Sequence, residues 1–143
     1  MTVLVDTTIW SLAIRHRHAD LNDRQKRLVE EWISLVEDGR AALIGPIRQE
    51  ILSGIRRQSD CDTIRRQLSA FVYLRILPRD YDRAAAMFNI CRTKGLTATA
   101  IDLLICAVAS RAKVAIFTTD ADFDHYAQHL EVHLHVLGAD RRR

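Results

Sequence analysis

Val3-Leu4-Val5-Asp6 opens the chain with three consecutive apolar residues, two of them β-branched, closed by a carboxylate. Side chains alternate across a strand, so a run apolar at every position offers hydrophobic groups to both faces. Strands of that kind belong to parallel sheets covered by helices on either side. Working outward, similar short runs recur at Ala41–Ile44, Tyr73–Leu77, Val114–Thr118 and His133–Leu137. Helix-like segments lie between them: Trp10–Arg15, Arg24–Val36, Ile47–Arg57, Thr63–Ala70, Asp82–Lys94, Ala100–Ala112 and Phe123–Leu130. In the second of these, Leu28, Val29, Trp32, Ile33 and Val36 form one stripe at helical spacing. Gly39 and Gly95 stand where helix-ending glycines belong, and Pro46 and Pro78 mark strand ends. The alternation predicts an α/β fold, an α/β/α sandwich with a four- to five-stranded, mainly parallel sheet. No linker or repeat interrupts it, so residues 1–143 read as a single domain.

Composition narrows the function classes. Of the 143 residues, 48% are hydrophobic and 27% charged, enough for a core and too balanced for a disordered chain. The formal charge of +3 permits a polyanionic partner without demanding one. No apolar run approaches the ~18 residues of a membrane span, and the N-terminus lacks the pattern of a secretory signal. Cys61, Cys91 and Cys106 are odd in number and widely spaced, which fits neither a disulfide framework nor a zinc ribbon. A reduced, cytoplasmic setting is expected.

The placement of four acids carries the chemistry. Asp6 ends the first strand, and Asp120 follows the strand at Val114–Thr118. In a parallel sheet the C-terminal strand ends share one edge, where open α/β folds place their sites. Crossover helices run antiparallel to the strands, so their N-termini reach the same edge. Glu50 lies in the first turns of one such helix. Asp102 opens another, heading the apolar Leu103-Leu104-Ile105-Cys106-Ala107-Val108-Ala109. Gly54, four residues beyond Glu50, clears space beneath it. Each acid also has a plainer role: a strand end at Asp6, a Thr99-x-x-Asp102 capping box, an N-cap at Asp120, a surface pair of Glu50 with Arg48 or Arg57. Together on one rim, however, four carboxylates repel one another and need a cation to stay ionised. Hard divalent ions with oxygen ligands supply it.

Val5-Asp6-Thr7-Thr8, Glu50-Ile51-Leu52-Ser53-Gly54, Asp102-Leu103-Leu104-Ile105-Cys106-Ala107 and Thr118-Thr119-Asp120-Ala121-Asp122-Phe123 resemble the motifs of PIN-domain ribonucleases. In length and spacing the chain is most similar to the VapC toxins of bacterial toxin–antitoxin pairs. The resemblance covers essentially the whole chain. It implies an Mg²⁺- or Mn²⁺-dependent endoribonuclease, a cognate VapB-like antitoxin and a homodimer. Residue by residue, it implies that Asp6, Glu50, Asp102 and Asp120 are the catalytic acids. Asp6 and Asp102 would be the main direct metal ligands, with Asp120 or Asp122 completing the set. Thr8 and Thr118 would support the site. Glu50 would ligate through water or act as a general base. In-line attack by water would leave a 5′-phosphate and a 3′-hydroxyl.

Among the basic clusters, Arg15, Arg17, Arg56 and Arg57 follow rim elements and are the candidates for RNA phosphates. The aromatic residues number only 9, too few for an obvious base-stacking platform. His125 and His129 lack the glutamate of a zincin motif, since Tyr126 follows the first histidine. Leu68, Phe71 and Val72, with Trp10, Leu12 and Ala13, are core residues or an interaction groove. Two other function classes fit part of the pattern. A haloacid-dehalogenase-like phosphatase also begins with a strand ending in Asp, but it wants a second Asp where Thr8 stands. A non-catalytic module would use an acidic pocket to grip an Arg-rich partner.

Overall fold

The computed structural model describes residues 1–138; residues 139–143, including the Arg141–Arg143 run, lie outside the described residues. The order of elements is β1 (Val3–Val5), α1 (Thr7–Arg15), a 3₁₀ turn (His18–Asp20), α2 (Asp23–Glu37), β2 (Ala41–Leu43), α3 (Gly45–Ser53), α4 (Gln58–Leu68), β3 (Val72–Tyr73), α5 (Pro78–Thr93), α6 (Ala100–Ala112), β4 (Ala115–Phe117) and α7 (Asp122–His129). The strands form one parallel sheet in the order β3-β2-β1-β4. Val3 pairs with Ala41 on one side and Ala115 on the other, which fixes the register of the centre. Every residue of β1 and β2 is buried, as double-sided coverage requires.

Strand order explains where a site can form. The chain moves outward from β1 to β2 to β3, then returns to the far side of β1 as β4. Right-handed crossovers place α1–α4 on one face and α5–α6 on the other. Contacts agree: α1 packs on α2 and α3, whereas α5 packs extensively on α6. The reversal between β1 and β4 is the switch point where a crevice opens at the carboxyl ends of the strands.

Local sequence accounts for the helix ends. Asn22 and Gln25 cap α2 reciprocally, side chain to backbone amide in each direction. Gly39 and Gly95, at φ 68° and 73°, turn the chain after α2 and α5 as their positions predict. Pro46 and Pro78 do not end strands; they sit in the first turns of α3 and α5, where a missing N–H costs nothing. The indole of Trp10 is buried and donates 3.0 Å to the Val5 carbonyl, tying α1 to β1. Trp10 also meets Trp32 and Phe71 edge-on. Leu68 and Trp10 are thus core residues, whereas Val72 is exposed on the edge strand.

Several boundaries differ from the sequence reading. The third strand is Val72–Tyr73, not Tyr73–Leu77. Its continuation is diverted because side chains take its backbone groups: Arg111 Nη2 donates to the Arg75 carbonyl, and Asp80 Oδ2 accepts from the Leu77 amide. The fifth strand at His133–Leu137 reduces to a single parallel bridge, Leu134 to Ile116. Its partner β4 ends at Phe117, where the chain turns to build the rim. The helix expected over Ile47–Arg57 stops at Ser53, and α4 begins at Gln58 rather than Thr63. Among the described residues no helix is long and apolar enough to cross a membrane.

Candidate active site

Asp6 is fixed before its side chain is considered. Its amide donates 2.8 Å to the Phe117 carbonyl, continuing the β1–β4 ladder by one bond. The residue is only 6% exposed. Its carboxylate makes no capping bond to α1; instead Oδ2 accepts from Thr118 Oγ1 at 2.7 Å and Thr8 Oγ1 at 3.1 Å. Thr8 Oγ1 in turn accepts from the Thr119 amide, and Thr118 Oγ1 from the Asp120 amide, both at 3.0 Å. Two hydroxyls therefore lock the ends of β1 and β4 together and aim Asp6 into the switch-point crevice. The position where a haloacid-dehalogenase-like acid would stand is occupied by this structural Thr8.

The other acids arrive from both sides of the sheet. Asp102 lies in the first turn of α6, where its amide donates to the Thr99 hydroxyl at 3.1 Å. Only that half of a capping box forms, because Asp102 Oδ2 accepts from Tyr126 Oη at 3.1 Å. Asp120 Oδ1 accepts from the Asp122 amide at 2.9 Å, a local turn contact; the N-cap of α7 is Ala121, not Asp120, and the second oxygen of Asp120 is left for other work. Asp102, Asp120 and Asp122 each offer an oxygen within 4.8 Å of the others. Glu50 lies on the exposed side of α3. Its surface pairing with Arg48 or Arg57 does not form: Arg48 donates to Tyr73 Oη, and Arg57 faces Asp60.

The electrostatics follow from this crowding. Although Glu50 is exposed, partial desolvation of its carboxyl at the rim pushes it above its ordinary value, the charges of Asp6 and Asp102 push it further, and the nearby Thr7 hydroxyl opposes. Asp102 is raised by burial first; the Tyr126 hydroxyl works against this, while Asp120 and Asp6 add to it. Among the described residues, no Lys, Arg or His lies within 4.0 Å of a carboxylate oxygen of Asp6, Glu50, Asp102, Asp120 or Asp122. An all-oxygen donor set without a protein cation fits a hard divalent metal. Cys106 is fully buried in α6, which pushes its thiol far up and leaves it a small core residue.

The family model for the PIN domain matches residues 3–128. The chain belongs to the PIN-domain family. Two relatives place it further: a VapC ribonuclease of Mycobacterium bovis and ribonuclease VapC11 of Mycobacterium tuberculosis. Each is 32% identical over 128 residues, covering 88% of this chain and 92% of the relative. The same PIN fold occurs in VapBC2 from Rickettsia felis, solved bound to a promoter DNA fragment (TM-score 0.72, 16% identity, 94% and 98% coverage). It also occurs in Mycobacterium tuberculosis VapC20, a sarcin–ricin-loop-cleaving toxin (TM-score 0.67, 17% identity, 92% and 99% coverage).

The sequence reading missed Tyr126. It lies in α7, whose buried residues are Phe123 and Tyr126, and its hydroxyl is the polar tip on that buried face. That hydroxyl was the available signal. The four candidate arginines separate. All four are exposed; Arg15, at the end of α1, lines a cleft with Thr7, Glu50 and Gly54, whereas Arg17, Arg56 and Arg57 lie on the connections after α1 and α3. His125 and His129 are exposed on α7 and join no metal-sized cluster among the described residues.

Proposed function

We propose that this protein is an Mg²⁺- or Mn²⁺-dependent endoribonuclease, the toxin of a toxin–antitoxin pair, that hydrolyses RNA phosphodiesters at the β1–β4 rim. The observation that carries this is the convergence of Asp102, Asp120 and Asp122 within 4.8 Å, beside Asp6 and Glu50, with no Lys, Arg or His within 4.0 Å of their carboxylates among the described residues. Membership of the PIN-domain family and the named ribonuclease relatives support the same reading. Its cellular setting is the cytoplasm, and residues 1–143 act as one PIN-like domain.

Asp6, Asp102, Asp120 and Asp122 would hold the metal. When bound, it supplies a Lewis acid that neutralises phosphate charge and acidifies an attacking water. The chain's own residues do the rest. Thr8 and Thr118 hold the Asp6 carboxylate in one orientation. Tyr126 does so for Asp102. Glu50 would ligate through water or, with its raised proton affinity, take the proton of water as it attacks in line. Cleavage then leaves a 5′-phosphate and a 3′-hydroxyl. Products ending in 2′,3′-cyclic phosphates would contradict this.

A VapB-like antitoxin and a second copy of the chain are the proposed partners. A non-catalytic acidic pocket remains the competing reading of the rim. Cleavage of total bacterial RNA with Mg²⁺, with Mn²⁺ and with chelator separates the two. Discrete, metal-dependent fragments are expected. A folded protein that neither cleaves RNA nor binds Mn²⁺ would favour the binding module.

A further inference from the structure

Gly54 raises a question that its backbone does not answer. Its φ is −86° and ψ −4°, ordinary right-handed values that any residue adopts. Gly39 and Gly95, by contrast, need their positive φ. What Gly54 provides is room. A Cβ at this position would collide with Nη2, Cζ and Nη1 of Arg15. The guanidinium lies in the space left by the missing side chain, and its Nη2 donates 3.0 Å to the Ile51 carbonyl in the last turn of α3. That carbonyl belongs to the C-terminal end of α3, where the helix dipole favours a cation.

The seat holds a fixed positive charge at the edge of the acidic rim. Arg15 and Glu50 line the same cleft of about 430 Å³, together with Thr7, Gln49 and Ser53. Yet among the described residues Arg15 has no carboxylate within 4.0 Å. A guanidinium carries five N–H donors in a planar fork, and the Ile51 bond occupies one. The remaining donors form the fork geometry suited to phosphate oxygens.

We propose that the α1–α3 cleft is a subsite for a backbone phosphate of the RNA flanking the cleaved bond, with Arg15 as its anchor and Gly54 as the residue that seats Arg15. The inference rests on the ribonuclease reading of the rim. It explains why one cation lies beside the acids unpaired: a polyanion drawn to the metal needs a positive contact where it leaves the site. Arg15 is a binding and positioning residue and takes no part in proton transfer.

The test is fluorescence anisotropy with a labelled single-stranded RNA 12-mer of mixed sequence, titrated in EDTA across a range of salt. Wild type, Arg15→Ala, Arg15→Lys, Gly54→Ala and the double variant Arg15→Ala/Gly54→Ala are compared, with thermal melts alongside. Gly54→Ala displaces the mobile end of Arg15 and leaves every acid untouched. Arg15→Ala and Gly54→Ala should each bind several-fold more weakly. Each should flatten the plot of log affinity against log salt by about 0.7, the slope of one lost single-strand phosphate contact. The double variant should be no worse than Arg15→Ala, and Arg15→Lys should recover the slope. An unchanged slope in Arg15→Ala, with wild type binding normally, overturns the subsite and leaves Arg15 as a helix cap; this holds even if Gly54→Ala fails to fold. Wild-type protein that binds no RNA in EDTA overturns the subsite; if it also cleaves none with Mn²⁺, the ribonuclease reading falls with it.

Discussion

Asp80 and Asp102 are both aspartates in the first turn of a helix on the same face of the sheet, and their surroundings drive them in opposite directions. Asp80 is 2% exposed and fully matched. Its Oδ1 accepts from Arg111 Nε at 2.7 Å and its Oδ2 from the Leu77 amide at 2.7 Å. Burial pushes its carboxyl up, but the Arg111 and Leu77 bonds and the charges of Arg111 and Arg79 outweigh it, so the net shift is downward. Asp102 meets burial too, yet its neighbours are Asp120 and Asp6, and it ends up raised. A carboxylate that serves the fold is given a cation by the fold. Asp102, beside other carboxylates, has no such partner among the described residues, as expected of a proposed metal ligand. The pair Asp80–Arg111 joins the start of α5 to the end of α6 and so holds the helix that delivers Asp102.

The contrast can be broken in order of effect. The largest falls on chemistry: Asp6→Asn and Asp102→Asn each keep size and remove charge, and each should lower metal-dependent RNA cleavage at least about a hundredfold. Asp80→Asn should leave the metal dependence of cleavage intact in the protein that folds. Next comes stability, where the signs should oppose. Asp80→Ala strands the Arg111 charge and should lower unfolding free energy by about 3 kcal/mol in urea melts. Asp102→Asn, measured without metal, should leave stability unchanged or raise it, because it relieves repulsion. Destabilisation by both would erase the distinction.

The pH dependence sharpens the same comparison. Asp80 has a lowered carboxyl, so its contribution is present above the ordinary aspartate value of 3.8 and disappears as pH falls through its folded-state value. Glu50 and Asp102 are raised, so in metal-free protein they penalise folding as pH rises through their ordinary values of 4.5 and 3.8 toward their folded-state values. Metal-free Asp102→Asn should therefore gain on wild type from pH 4 upward, and Mn²⁺ should remove that gain. The smallest effect is at Thr8. Thr8→Val removes one of two hydroxyls on Asp6 and should cost about 1 kcal/mol, seen as a roughly fivefold drop in cleavage. Full activity in Thr8→Val would mean that Thr118 alone orients Asp6.

The chain states its rim more clearly than its edges. Val3-Leu4-Val5-Asp6 announces a buried strand ending in an acid, and strand direction alone brings Glu50, Asp102 and Asp120 to the same end. Those readings rest on runs of apolar residues, which burial enforces. The edges rest on who takes the backbone bonds, and that is settled by distant side chains. Arg111 reaches 36 residues back to the Arg75 carbonyl and ends β3 early. The end of β4 at Phe117 limits its outer partner to one bridge at Leu134. Gly54 was legible as a position that clears space beneath Glu50; that the space holds Arg15 was not, because Arg15 comes from α1, 39 residues earlier. The Asp80–Arg111 pair was likewise invisible, two residues 31 apart with no shared motif.

The central claim is that the rim acids form an unfinished ion pair completed by a divalent cation. Calorimetric titration of the metal-free protein with Mn²⁺ tests it most directly. Wild type and Asp80→Asn should bind the metal with a defined stoichiometry, and Asp102→Asn should lose it. Equal binding by wild type and Asp102→Asn, or no binding by folded wild type, would contradict the account.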